Sequence, residues 1–424
     1  MEHSSSSLAS SRLPPRVVQA VKSPGGIEAW LVEDHTVPLL VMDCAFKGGS
    51  THDIAGKQGC SYLMTGLLDE GAGPYDSQAF NERLAEKAIQ MSFSTDRDGW
   101  HGSFKTITAY TDDAFNLFRL AVCLPRFDKD SIERVQAQIM ASLRQEAQNP
   151  NTLAGRAFFA GLFPGHPYGY PVRGTLESVG SLSRDDLKEC HRMAFARDRL
   201  LVVAAGSITP QELAQRLDIL FGDLPETTHL PSIPPVNIGS LGTRHHVPVD
   251  APQSVIYFGR PGFMRHDPDF IAGVVLNHIL GGSGLTSRLF REIREKRGLA
   301  YGVSSSLSCY AHVGLFSGGT ATQTKQVDAA ISVIEEQIKD LITHGPTEEE
   351  IEDAKTFLIG SYPLRFDTSS KTSGYLMHLA IEGLGIDYIA KRNSLVQAVT
   401  HEDVLRAAKR LLGHGELFTV IAGR

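Results

Sequence analysis

The chain has 424 residues, 42% of them hydrophobic and 21% charged. That composition is ordinary for a globular protein, and the length exceeds one compact core, so two domains are expected. A formal charge of -7 supplies no basic field and argues against nucleic acid or an anionic membrane as partner. Peptides and small molecules fit better.

Residues 1–16 begin with a Ser-rich polar stretch that lacks the apolar core of a signal peptide and reads as a disordered arm. Two compartments stay open, the cytoplasm or the bacterial periplasm after removal of an export signal. No apolar run reaches the ~18 residues of a membrane span, since Asn277 and His278 interrupt even Phe270 to Leu280. A soluble protein is expected. Cys44, Cys60, Cys123, Cys190 and Cys309 are odd in number and widely spaced, which favours free thiols over disulfides.

From residue 17 onward, strand patterns at Ile27 to Val32 and Leu39 to Phe46 precede helical ones at Ser77 to Lys87 and Asp113 to Leu124. A strand returns at Leu200 to Ala204. The later chain repeats this order. Ser183 to Leu187 leads to Leu200–Gly206 as Thr400 to Val404 leads to Leu417–Gly423, and both Asp186/Asp403 and Gly206/Gly423 lie 217 residues apart. Ile132 and Ile351, each opening a long amphipathic helix, lie 219 apart; Pro38 and Pro252 lie 214 apart. Near-constant spacing implies a duplicated unit with small loop insertions. Between the copies, Glu226 to Gly239 is rich in proline and polar residues and reads as a linker. The expectation is an α+β protein of two homologous sandwich domains, 17–228 and 245–424, joined by linker 229–244. Each would be a mostly antiparallel sheet covered by helices.

Common catalytic signatures are absent: no HExxH or HxxEH, no GxSxG, no CxxC, and no Lys-Ser/Thr after Gly281–Gly284. Those glycines read as a tight turn between helices. After them, Leu285, Leu289, Phe290 and Ile293 form one helical stripe, Gly298 suits a left-handed cap, and Leu299 to Val303 reads as a departing strand. Arg294 then falls in the last helical turn and Tyr301 near the strand's start. Two readings follow from spacing: a pair facing one groove, or a cation complementing the helix dipole beside a half-buried strand tyrosine.

The run Arg288-Leu-Phe-Arg-Glu-Ile-Arg-Glu-Lys-Arg-Gly-Leu-Ala-Tyr301 resembles the C-terminal-half signature of the pitrilysin/insulinase zinc peptidases. Phe46 to Ser50, Gly165 to Gly169 with Gly174-Thr175, and Tyr362 to Asp367 are similar to the same family. The resemblance implies that Arg294 and Tyr301 bind substrate. It also implies a His-x-x-Glu-His helix with a further Glu about 75 residues on, where two histidines and the distal Glu hold zinc. Here the matching positions are Tyr62, Thr65, Gly66 and Ser142. These cannot replace imidazole and carboxylate as a firm zinc site. Asp69, Glu70 and Glu146 read as solvated charges rather than substitutes, and His101, His166, His191 and His278 as isolated.

The expectation is therefore a chain inactive alone, with no cofactor of its own. It would pair with a homologous HxxEH-bearing subunit that holds the zinc and act on peptide or unfolded polypeptide. A structural relative resembling respiratory-complex core proteins and a peptide-binding module are the alternatives.

Overall fold

Leu39–Lys47 is apolar except at Asp43 and Lys47, and six of its nine residues, on both faces, are buried, the mark of a strand covered on both faces. Leu40, Met42, Cys44 and Phe46 enter the large core beneath the first half's own helices. Ala45 points the other way, into a smaller cluster with Val32, Val203, Ala205, Leu376 and Met377. Its second cover thus comes from more than 300 positions away in sequence.

In this computed structural model residues 17–413 and 415–424 are described, so the arm expected over 1–16 lies outside them. Among the described residues the chain forms two large sheets and a two-residue hairpin. The first sheet holds β1 (Gln19–Lys22), β2 (Glu28–Glu33), β3 (Leu39–Lys47), β4 (Gln90–Thr95), β5 (Gly99–Ile107) and β6 (Leu200–Gly206), in the order β1-β2-β6-β3-β5-β4. The second holds β7 (Arg244–Pro248), β8 (Ser254–Gly262), β9 (Ala300–Cys309), β10 (Gly314–Thr322) and β11 (Phe418–Gly423), in the order β9-β10-β8-β11-β7.

The two orders are the same once β1 is set aside. β2 and β6 pair in parallel, as do β7 and β11, and every other pairing in both sheets is antiparallel. Register repeats as well. Val41 faces Ala205 and Lys105, and Val255, 214 residues later, faces Ala422 and Ala321. Capping boxes at Ser183/Asp186 and Thr400/Asp403 open the helices Arg184–Ala194 and His401–Leu412, which lead into β6 and β11.

The outer cover of each sheet is exchanged. Helix Pro150–Leu162 packs on β8 and β11 of the second sheet, with Phe158 stacked on Phe418 at 5.8 Å and close to Gly259. Helix Ser369–Ile381 packs on β3 and β6 of the first. Both helices have 13 residues, and their ends lie 219 apart. Residues 229–243 carry no helix or strand, and they are pinned rather than loose. His166 Nε2 lies 3.0 Å from the Pro234 carbonyl, and Gly239 N–H donates to the Leu162 carbonyl at 3.0 Å.

Two local expectations need correction. Gly281 does not turn the chain, because helical structure runs on through His278–Gly282; a Cβ at 281 would strike Ser305, so the glycine serves close packing on β9. The turn falls at Gly284, with φ +59. Leu285 leaves the expected stripe and is exposed, while Leu289, Phe290 and Ile293 are buried.

Candidate functional site

Arg288 is the anchor of the segment that carries Arg294. Its guanidinium is buried and bonds Glu350 in a fork at 2.7 and 2.6 Å, with Asp340 at 2.6 Å. Beyond it the helix widens into a π-turn, Arg291–Glu295, and Lys296 N–H donates five residues back to the Arg291 carbonyl at 2.9 Å. Gly298, at φ +60, lets its N–H reach the Arg294 carbonyl at 3.1 Å and reverses the chain.

The returning strand β9 starts with a bulge. Ala300 faces Thr322 and Val303 faces Thr320, so Tyr301 and Gly302 share one opposing residue. Thr322 and Thr320 hydroxyls donate to the Leu299 and Gly302 carbonyls at 2.5 and 2.7 Å, which fixes the bulge. Tyr301 is thereby thrust outward and is 83% exposed. The Arg294 guanidinium lies 4.4 Å from its ring centre and 4.9 Å from that of Phe290. No carboxylate among the described residues pairs with Arg294. The structure thus brings the two residues together, and Tyr301 is not the half-buried strand tyrosine of the alternative reading.

The positions matching the zinc motif are arranged differently. Asp53 accepts from Gly59 and Ser61 N–H at 2.8 and 2.9 Å and so starts helix Cys60–Thr65; burial pushes its carboxyl up to about 6. Thr65 is buried, and its hydroxyl lies within reach of its own helix's Ser61 and Tyr62 carbonyls, at 3.0 and 3.1 Å. Gly66 offers no side chain. Tyr62 and Ser142 do meet, around a guanidinium. Arg173 lies 5.1 Å from the Tyr62 ring centre, donates to Ser142 Oγ at 3.0 Å and pairs with Glu146. Arg156 joins the same carboxylate at 3.2 Å.

Zinc does not fit these residues. One carboxylate already shared by two cations and one neutral hydroxyl make no tetrahedral set, and Arg173 would repel a second cation. Among the described residues no group of three or more His, Cys, Asp or Glu is placed to hold a metal ion.

Of three carboxylates expected to be solvated, two are engaged by arginines and the third is largely buried. Glu146 is the centre of the cluster just described. Glu70 holds Arg134 and accepts from Ser77. Burial pushes the Asp69 carboxyl up to about 6. Arg173 was missed in the sequence, where the readable signal was an arginine directly before Gly174 and a Glu one helical turn after Ser142. The histidines serve locally: His101 pairs with Asp96 at 3.0 Å, His191 Nε2 lies 2.7 Å from the Val122 carbonyl, and His278 packs on the Phe357 ring. All five cysteines are free, and three of them are buried.

The chain thus carries two copies of one α/β unit, with an outward Arg/Tyr pair on the second and, among the described residues, no metal-holding group on the first. Residues 181–358 match the family model described as the peptidase M16 inactive domain. Curated relatives include a non-peptidase homolog, YmxG, of Helicobacter pylori, 28% identical over 88% of this chain and 86% of its own. An uncharacterized zinc protease of Mycobacterium leprae is 31% identical over 83% of both chains. A peptidase M16 inactive domain from Pseudomonas fluorescens superposes with a TM-score of 0.90 at 25% identity, covering 96% of this chain and 97% of that one. A protease from Helicobacter pylori shares the fold, with a TM-score of 0.86 at 17% identity over 96% and 99%. The chain belongs to the M16 peptidase family, the pitrilysin/insulinase group its motifs resemble, and it lacks that family's zinc motif.

Proposed function

We propose that this chain is the zinc-less subunit of a two-chain M16 endopeptidase and supplies Arg294 and Tyr301 in trans. Each half would be one peptidase-like domain, the first with the degenerate site and the second with the Arg/Tyr pair. The observation that carries the reading is the exposure of Tyr301 beside an arginine without a carboxylate. Both groups keep donors free for a ligand from outside the chain.

The partner would be a homologous subunit with an intact HxxEH, and the metal chemistry that activates water would belong to it. What this chain adds is hydrogen-bond donation. A phenolic O–H and a guanidinium aimed at the scissile carbonyl oxygen, or at an adjoining backbone carbonyl, hold the peptide. They also stabilise the charge that grows there, each such donor being worth roughly 2.7–4 kcal/mol. Arg294 stacked on the ring limits the motion of both, so less entropy is lost on binding.

A peptide or unfolded segment is the substrate class, since the donors recognise backbone rather than one side chain. Among the described residues no helix is long and apolar enough to cross a membrane. The test is peptide hydrolysis by the chain alone, by the HxxEH subunit alone and by the two together. Activity confined to the mixture supports the reading; equal activity of the HxxEH subunit with and without this chain opposes it.

A further inference from the structure

The Glu146 cluster has a counterpart in the second half. At the 219-residue spacing that relates the two exchanged helices, Glu146, Arg156 and Arg173 correspond to Arg365, Tyr375 and Arg392. In the first half a single carboxylate lies between two guanidiniums. In the second half the carboxylate's position is itself an arginine.

Arg392 is 8% exposed, with its guanidinium 4.7 Å from the Tyr362 ring centre. It donates to the Leu358 carbonyl at 2.6 Å and Asn393 Oδ1 at 3.0 Å, both neutral. Arg365 lies over the Tyr375 ring at 5.2 Å. No carboxylate among the described residues pairs with either. Both line a cavity of about 390 Å³ whose apolar wall includes Phe270, Val274 and Leu307. A third arginine lining it, Arg265, is already neutralised by Glu382 at 2.5 Å, and His378 lies 3.4 Å from that same carboxylate. The cavity therefore has three guanidiniums against one carboxylate.

A guanidinium taken from water without a counter-ion is costly, and burial lowers the Arg392 pKa accordingly. Planar guanidinium groups accept a carboxylate through paired N–H donors. We propose that this cavity binds an organic carboxylate with an apolar tail. Its carboxylate would bridge Arg365 and Arg392, as Glu146 bridges Arg156 and Arg173 in the first half. The tail lies on the apolar wall. A peptide C-terminus and a free alkyl acid share this chemistry, and neither Arg294 nor Tyr301 lines the cavity.

Titration calorimetry on the full chain tests it, with N-acetyl-leucyl-phenylalanine, its C-terminal amide, octanoate and inorganic phosphate as probes. At least one acid should bind, with the amide at least about tenfold weaker than its acid. The tighter of the two acids identifies the source. Arg365→Gln, at an exposed position, should weaken the acid by about tenfold or more. Arg365→Glu supplies the carboxylate internally, so it should abolish binding and raise the melting temperature. No binding of either acid, acid and amide binding alike, phosphate binding tighter than both acids, or unchanged binding by Arg365→Glu would overturn the proposal.

Discussion

Arg173 reaches Ser142 Oγ at 3.0 Å and shares the Glu146 carboxylate with Arg156, so a guanidinium stands among the positions that match the family's metal ligands. The missing histidines are then only half of the loss. Restoring the motif by Tyr62→His, Thr65→Glu, Gly66→His and Ser142→Glu should still give weak zinc binding, because Arg173 keeps a positive charge at the site. Adding Arg173→Met should tighten zinc about tenfold or more, since charges about 4 Å apart interact by ~4 kcal/mol near a protein surface. Zinc titration of both variants decides it; equal affinities would mean that Arg173 does not guard the site.

Removing the shared carboxylate should be costly. Glu146→Gln leaves Arg156 and Arg173 without a counter-ion, each about a third exposed. A loss of about 1–3 kcal/mol in urea unfolding is expected. Arg156→Gln should cost less, because Arg173 keeps its partner.

The exchanged helices give a second prediction on stability. Leu376 is fully buried on the first sheet and Phe158 nearly so on the second. Leu376→Ala should cost about 2–5 kcal/mol and Phe158→Ala about 3–5 kcal/mol in equilibrium unfolding, although each residue sits in the opposite half of the sequence from the sheet it covers. Costs below 1 kcal/mol would mean that the helices rest on the sheets without supporting them.

Sequence patterns exposed the duplication because the strand, helix and cap signals at 183–206 and 400–423 recur without a gap. The exchange was not legible. The apolar run at Leu39–Lys47 indicates a strand covered on both faces, but pattern alone cannot say which helix supplies the second face. Gly298 and the flanking stripe place Arg294 at a helix end and Tyr301 at a strand's start but leave their pairing open without the family resemblance, whereas the π-turn and the β-bulge that set their contact leave no periodic signal. Arg173 escaped for a different reason: its role depends on contacts with Tyr62, Ser142 and Glu146, which only the fold brings together.

Asp53 gives stability an acid dependence of definite sign. Its carboxyl is raised from the usual aspartate value to about 6, so the folded state holds more protons than the unfolded one between about pH 4 and 6. This group's contribution therefore falls as pH rises through that window. Asp53→Asn cannot titrate and should flatten the slope, while losing about 1 kcal/mol from one weakened amide contact. Melting temperatures at pH 4.5 and 7 for both proteins check this; an unchanged slope would assign it elsewhere, with Asp69 the next group to test.

The most direct test of the two-chain account is turnover of a peptide by the assembled pair carrying Tyr301→Phe, with pairing and the partner's zinc content measured on the same sample. The change deletes one exposed hydroxyl and almost no volume, so the fold, the pairing and the zinc should be unaffected. The account predicts a fall in turnover of about a hundredfold. Full turnover by an intact, zinc-loaded pair would contradict it.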